Sequence, residues 1–114
     1  MTACAHCRPG SPCERHFQQQ VIDLAHLCGW RVAHFRPART EKGWRTPVAA
    51  DGAGFPDLVM LRGKELLVLE LKSDKRKATD EQQEWLAAFG QVSEAAALCL
   101  RPVQWPLIEA ALRR

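Results

Sequence analysis

One stretch near the middle of the chain constrains the fold most, because it carries acidic residues next to runs that are otherwise apolar. Residues 58–61 and 66–71 are rich in Val and Leu, and the polar tetrapeptide Arg62-Gly63-Lys64-Glu65 separates them. This pattern predicts two antiparallel strands joined by a tight turn. Gly63 suits the first central position of a type II′ two-residue turn. The sequence therefore predicts a β-hairpin.

The turn also predicts which residues of the hairpin face each other. If Gly63 and Lys64 form the loop, Asp57 stands opposite Glu70, and directly opposed residues have Cβ atoms about 5 Å apart. Alternation along the strand places Lys72 on the same face as Glu70. Two carboxylates this close repel each other in a site of low dielectric, unless one is protonated or a cation lies between them. A Glu-x-Lys motif is ordinarily an exposed ion pair on an edge strand, but the long apolar run before it favours a central strand.

The same residues resemble those of a known family. The VRR-NUC domain of the PD-(D/E)XK nuclease superfamily is similar to this chain at three motifs, which are Gly54-Phe55-Pro56-Asp57, Glu70-Leu71-Lys72, and Gln82 with Trp85. The similarity extends from about residue 14 to about residue 102. It implies an α/β fold with a restriction-endonuclease-like core, in which helices flank a central mixed sheet in the order αβββαβ. VRR-NUC proteins of this small stand-alone type resemble phage and bacterial nucleases that are related to Holliday junction resolvases.

This resemblance implies a metal-dependent deoxyribonuclease. Asp57, Glu70 and the main-chain carbonyl of Leu71 are expected to bind Mg²⁺ or Mn²⁺, hard cations that prefer oxygen ligands. Lys72 would orient or deprotonate the attacking water and stabilise the negative charge that develops on the phosphate.

Helices are predicted before and after the hairpin, and each brings one further candidate. Apolar residues recur at helical spacing from residue 14 to residue 28, and Gly29 ends that run. Glu14 matches the first-helix Glu that completes the metal site in the family, although it could equally be an acid that stabilises a helix N-terminus. Thr79-Asp80-Glu81-Gln82 has the pattern of a capping box. Gln82 also matches the Gln that follows the catalytic strand in the family, so both roles remain open.

The remaining elements are predicted from periodicity. Residues 30–36 favour a first strand, and residues 95–100 favour a last strand buried on both sides. Residues 102–114 predict an amphipathic C-terminal helix whose apolar face includes Leu107 and Ile108. Residues 37–53 show no periodicity and are expected to form a long loop, which in a compact domain is usually functional or mobile.

Basic residues flank the acidic cluster in sequence. The formal net charge of +3 permits nucleic-acid binding without requiring it. Basic side chains could grip a DNA backbone and Trp44 could stack on an unpaired base, although a solvated loop with Trp44 on the core accounts for the segment nearly as well. The candidate DNA-binding residues are Arg36, Arg39, Lys42, Trp44, Arg45, Lys75, Arg76 and Lys77.

The N-terminal segment, residues 1–13, is rich in cysteine and precedes a nuclease domain expected over residues 14–114. Cys4-x-x-Cys7 and Cys13-x-x-His16 are separated by a short segment with Pro and Gly, an arrangement that can build a tetrahedral zinc site. A frayed terminus with coincidental spacing is the alternative. If zinc binds here, it is expected to be structural and distant from the chemistry.

Length and composition narrow the remaining possibilities. The 114 residues, of which 46% are hydrophobic, are enough for one domain with a single core. No apolar run reaches the length of a membrane span, and the N-terminus lacks the apolar core of a signal peptide. We therefore expect a cytoplasmic protein without membrane contact, whose cysteines are thiols or metal ligands.

The predicted function is an endonuclease specific for branched, junction or flap DNA. Symmetric cutting of a junction needs two active sites, so a homodimer is also expected. One alternative is a non-catalytic DNA-binding module stabilised by zinc. Another is a restriction-type nuclease, for which the chain has little extra mass to build a recognition domain.

Overall fold

The predicted hairpin forms the centre of the main sheet in a computed structural model of the chain. Strands β4 (Leu58–Arg62) and β5 (Glu65–Leu71) pair antiparallel, with Leu58 opposite Leu69 and Arg62 opposite Glu65. Gly63 has a φ of +60°, as the first central position of a type II′ turn requires. The register predicted from the turn is confirmed over these residues, and its extension by one residue would place Asp57 opposite Glu70.

The structure describes residues 4–9, 11–35, 38–40, 43–45, 49–73 and 76–114, and for residues 38–40 and 43–45 it describes the backbone alone. The other elements are α1 (Glu14–Leu27), β1 (Arg31–His34), β2 (Ala38–Thr40), β3 (Gly43–Arg45), α2 (Asp80–Gly90), β6 (Ala95–Leu100), a 3₁₀ turn (Pro102–Gln104) and α3 (Trp105–Arg113).

The main sheet is mixed and has four strands in the order β1-β4-β5-β6. Strand β4 pairs antiparallel with both of its neighbours, β1 and β5, whereas β6 pairs parallel with β5. A parallel neighbour needs a crossover connection, and α2 supplies it. Along the chain, the three helices and the strands of this sheet therefore follow the order α1, three strands (β1, β4 and β5), α2, β6 and α3. The prediction of an α/β fold with a mixed sheet and flanking helices is confirmed at that level.

Helices α1 and α3 share one core with the hairpin. The helical spacing predicted for α1 buries Phe17 and Val21 completely, and α3 buries Ile108 and Leu112. These side chains meet Leu58, Met60, Leu67, Leu69 and Leu71 of the hairpin in a single cluster. Alternation along β5 directs Val68 and Glu70 away from that cluster, yet both are buried, and α2 packs against β5 and β6.

Arg62 ties the turn of the hairpin to the ends of two helices. Its Nη1 donates hydrogen bonds to the carbonyls of Cys28, at 3.1 Å, and Leu112, at 2.8 Å. Its guanidinium lies 4.4 Å from the ring centroid of Trp30, whose indole N–H donates to the same Leu112 carbonyl. A charged side chain thus satisfies the last carbonyls that a helix leaves unpaired.

Three sequence predictions were wrong in detail. Residues 37–53 are not all loop, because β2 and β3 pair as a small separate sheet. Strand β6 is not buried on both sides, because it is the last strand of the main sheet and exposes Ala96 and Leu98. Leu107 is 57% exposed, because α3 turns only its Ile108 side to the core. Short alanine-rich strands bury little apolar area, so they tolerate an edge position.

Candidate acidic site at the end of the hairpin

The predicted acidic residues come together at one end of the main sheet. Asp57 immediately precedes β4, and its carbonyl accepts a hydrogen bond from the amide of Phe35 at 3.0 Å. Glu70 lies near the end of β5 and Lys72 follows that strand. The Lys72 amide donates to the Leu100 carbonyl at 3.1 Å. The backbones of both neighbouring strands therefore hold the site in place.

The Asp57 side chain is fixed toward β5. Its Oδ2 accepts a hydrogen bond from the Leu71 amide at 3.0 Å, and the side chain of Gln18 lies near enough to lower the pKa of this carboxyl group. Burial raises the pKa of Asp57, and the bond from the Leu71 amide opposes that rise. The carboxyl group of Asp57 is thus held at the end of the strand that carries Glu70.

Glu70 is the most unusual residue of the site. Its side chain is 1% exposed, and Lys72 Nζ lies 3.4 Å from its Oε1. That contact is an ion pair without hydrogen-bond geometry, and neither carboxylate oxygen of Glu70 has a hydrogen-bond partner among the described residues. Buried polar groups in folded proteins nearly always have partners. Two unpartnered oxygens on one buried carboxylate therefore need a physical reason.

The electrostatics of the site follow from this crowding. Burial, followed by the nearby Asp57 charge, raises the pKa of Glu70 to about 7, against the opposing effect of the Lys72 ammonium. Near neutral pH the Glu70 carboxyl is consequently divided between its protonated and ionised forms. A cation beside the two carboxyl groups would favour the ionised form.

Glu14 lies close enough to this site to feel its charges. It begins α1, and its Oε2 is 3.6 Å from Nη1 of Arg76. Burial raises the pKa of Glu14, Lys72 lowers it and Asp57 raises it. Glu14 is therefore near Asp57 and Lys72, and its role in a metal site stays a prediction. However, the carboxylate oxygens of Glu14, Asp57 and Glu70 do not converge as three ligands of one metal ion, whereas another set of side chains among the described residues does.

Gln82 makes the predicted capping box. Its Oε1 accepts from the Thr79 amide at 2.8 Å, and its own amide donates to Thr79 Oγ1 at 3.2 Å. The amide side chain is therefore committed to the start of α2 through its oxygen. Its role at the acidic site remains a prediction from the family resemblance.

The start of α2 is packed tightly against the loop before Asp57. Gly54 has a φ of +80°, and a Cβ at this position would lie 2.6 Å from the Cβ of Glu81. The Trp85 indole N–H donates to the carbonyls of Asp51 and Ala53, at 3.0 and 3.2 Å. Glycine is therefore required at position 54 by both conformation and space.

Sequence reasoning missed Gln18, whose side chain lies near enough to Asp57 to lower its pKa. Gln18 lies four residues after Glu14, so the two share one face of α1. That spacing could have identified it, because a polar side chain one turn beyond a candidate acid faces the same site.

The predicted DNA-binding residues are described only in part. Arg36, Lys42 and Lys75 lie outside the described residues, and for Arg39, Trp44 and Arg45 the structure describes the backbone alone. Arg76 and Lys77 are exposed on the segment that follows Lys72, and Arg76 pairs with Glu14. The DNA-binding surface therefore stays a prediction.

The four N-terminal metal-ligand candidates do converge. The ligand atoms of Cys4, Cys7, Cys13 and His16 all lie within 4.8 Å of one another. The spacing-based prediction of a group that could hold a metal such as zinc is confirmed at that level. Cys4, Cys7 and His16 line a cleft of about 510 Å³ between this segment and the start of α3. The residues of the acidic site do not line this cleft.

Neither known protein-family models nor curated proteins give a match to this chain. The nuclease function therefore stays a prediction from the resemblance at the three motifs. Among the described helices, none combines the length and the apolar character needed to cross a membrane.

Proposed function

We propose that this chain is a metal-dependent deoxyribonuclease of the PD-(D/E)XK type, related to the VRR-NUC domain. The observation that carries the proposal is the buried Glu70 carboxylate, whose oxygens lack hydrogen bonds while Asp57 and Lys72 lie beside it. Folding alone gives no reason to bury an acid in this state, because an incompletely partnered buried charge destabilises a domain. Residues that break this rule usually serve a function.

The donor set fits a hard divalent cation. Mg²⁺ or Mn²⁺ would be held by Asp57 and Glu70, and the resemblance adds the carbonyl of Leu71. The unpartnered oxygens of Glu70 have free lone pairs for such an ion. When bound, the ion would activate a water molecule and offset charge on the phosphate.

The chain's own residues would do the rest. Lys72 keeps a buried ammonium 3.4 Å from Glu70, where its charge can stabilise the oxyanion and its protons can orient the attacking water. Gln18 lies near the Asp57 carboxyl and lowers its pKa, which favours the ionised form that binds a cation. Glu14 adds a third acid near the site and forms an ion pair with Arg76.

The proposed substrate is DNA with branches, junctions or flaps. A single small domain has room for shape recognition, and the exposed Arg76 and Lys77 directly follow the site, where they can contact phosphates. Symmetric cutting of a junction would require a homodimer. Light scattering with and without junction DNA tests this part, and a monomer under both conditions would favour nicking or flap cutting.

Cleavage assays test the proposal directly. The wild type should cut plasmid, junction or flap DNA with Mg²⁺ or Mn²⁺ and not without a divalent ion. Asp57→Asn should abolish cutting, whereas Asp51→Asn, an exposed residue of the same loop, should leave the rate unchanged. Absence of cutting on all of these substrates, or full activity of Asp57→Asn, would refute the proposal.

The second candidate is a DNA-binding module without catalysis, favoured by the converging Cys and His side chains near the N-terminus. The same assays separate the two functions. Salt-dependent DNA binding without cutting would support the module. Cutting at one fixed sequence of linear DNA would instead indicate a restriction-type nuclease.

A further inference from the structure

The N-terminal Cys and His side chains have the spacing of a metal site. Cys4 Sγ lies 3.9 Å from Cys13 Sγ, and His16 Nδ1 lies 3.2 Å from both Cys7 Sγ and Cys13 Sγ. In a tetrahedral zinc site, bond lengths of about 2.3 Å to sulfur and about 2.0 Å to nitrogen give S···S separations of about 3.8 Å and S···N separations of about 3.5 Å. Shifts of a few tenths of an ångström would bring these three separations to that geometry.

The backbone brings the ligands together by local structure. Arg8 and Ser11 exchange two main-chain hydrogen bonds, of 3.0 and 2.9 Å, and so form a tight turn between Cys7 and Cys13. The Cys13 amide donates to Cys7 Sγ at 3.3 Å. Donors of this kind are the usual outer-shell partners of metal ligands.

The remaining ligands are placed by an equally local rule. The Cys7 amide donates to the Cys4 carbonyl at 3.3 Å, which closes the first pair. Cys13 is the N-cap of α1 and His16 lies in the first turn, so helical spacing directs both to one side. A turn therefore places Cys4 and Cys7, the bend at Arg8 and Ser11 brings the chain back, and the start of α1 places Cys13 and His16.

Neither a disulfide nor core packing accounts for the cluster. A disulfide between Cys4 and Cys13 requires sulfurs about 2.05 Å apart, whereas theirs are 3.9 Å apart, and both are free thiols. Core packing is excluded as well, because all four side chains lie outside the hydrophobic core cluster.

We propose that Cys4, Cys7, Cys13 and His16 bind one Zn²⁺ ion in a closed structural site. Three thiolates and an imidazole are a ligand set that zinc favours over the hard cations of the acidic site. Each cysteine gives up its proton when it coordinates. Four protein ligands leave no position for a reacting water, so the ion holds residues 4–12 against the start of α1 and takes no part in hydrolysis.

The site also replaces a missing helix cap. Cys13 occupies the N-cap of α1 without a side-chain hydrogen bond to the helix, although an N-cap side chain normally accepts one. A metal bond from the same side chain would fix this helix start instead. The proposal goes beyond the nuclease function and does not depend on it.

Metal analysis is the first test. Wild-type protein purified without an affinity tag of histidines should contain about one zinc per chain. Cys4→Ser should lose the zinc, and Cys28→Ser, a thiol at the opposite end of α1, should keep it. Circular dichroism on both variants establishes that they are folded. A metal-free wild type that takes up no zinc on titration would overturn the proposal.

Cobalt substitution and melting provide readouts that do not depend on any variant folding. Co²⁺ bound to the wild type should show the intense visible absorption of tetrahedral thiolate coordination, and zinc should displace it. A chelator should lower the melting temperature of the wild type by about 10 °C or more. It should leave the melting temperature of Cys4→Ser unchanged, because that variant holds no zinc. A weak octahedral cobalt spectrum, or equal melting with and without chelator, would refute the site. Because neither readout involves DNA, failure here is distinguishable from failure of the nuclease proposal.

Discussion

Replacement of Glu70 by Gln should stabilise the domain in Mg²⁺-free buffer. The pKa of Glu70 is raised from its ordinary value of 4.5 to about 7, first by burial. Each pH unit of that difference corresponds to about 1.4 kcal/mol, so ionising Glu70 in the fold costs about 3 kcal/mol. Glutamine has nearly the same shape and carries no charge, so it avoids this cost.

The sign of the pH dependence follows from proton linkage. Between pH 4.5 and about 7 the folded state holds a proton on Glu70 that the unfolded chain has released. The unfolding free energy of the wild type therefore falls as the pH rises through this window and then levels off. The advantage of Glu70→Gln should be about 3 kcal/mol at pH 8 and about 1 kcal/mol at pH 5.

Urea unfolding of both proteins at pH 5 and pH 8 measures this difference. At pH 8 the variant should also melt about 10 °C higher. Glu65→Gln on the same strand is the matched control, because its side chain is 52% exposed and pairs with Arg62 at 3.1 Å. Such a pair contributes at most about 1 kcal/mol. If Glu70→Gln were less stable than the wild type at pH 8, attraction by Lys72 would outweigh burial, and the argument that Glu70 is strained would be wrong.

Three further changes test other parts of the structure. Lys72→Ala should slow DNA cutting by about 10²-fold while Mg²⁺ and DNA binding persist; single-turnover kinetics at the wild-type rate would remove this residue from the mechanism. Gly54→Ala should destabilise the domain by about 2 kcal/mol or more, because the φ is +80° and the new Cβ would meet Glu81 at 2.6 Å; an unchanged urea midpoint would contradict the close packing. Arg62→Ala should lower the unfolding free energy by about 2 kcal/mol, because the variant loses the hydrogen bonds to two helix-end carbonyls and the cation–π contact with Trp30. The control is Arg113→Ala, which breaks an exposed ion pair of 3.6 Å and should have little effect.

Local chemistry determines which features were predictable from the sequence. Gly63 and the strand period fix the hairpin register, so the meeting of Asp57 and Glu70 follows from a few residues. Thr79 and Gln82 form a capping box because their spacing alone determines it. The cysteine spacing likewise anticipates a group whose ligand atoms converge.

Features that depend on tertiary neighbours could not be predicted in the same way. An alanine-rich apolar run looks alike at the centre and at the edge of a sheet, so the exposure of Leu98 was missed. Strands β2 and β3 have three residues each, too short for any periodicity to emerge. The effect of Gln18 on the pKa of Asp57 depends on how α1 crosses the sheet.

The position of β6 in the chain has a consequence for how such a domain can be inherited. The motif residues all precede β6, yet the Leu100 carbonyl of that strand holds the Lys72 amide, and Ile108 and Leu112 beyond it complete the core. A recombination event that joined residues 1–90 to foreign sequence would transfer every motif and leave Lys72 on an unpaired sheet edge. Such a fusion would keep the motifs but lose the strand and the helix that position them, so the motifs alone do not specify the geometry of the acidic site.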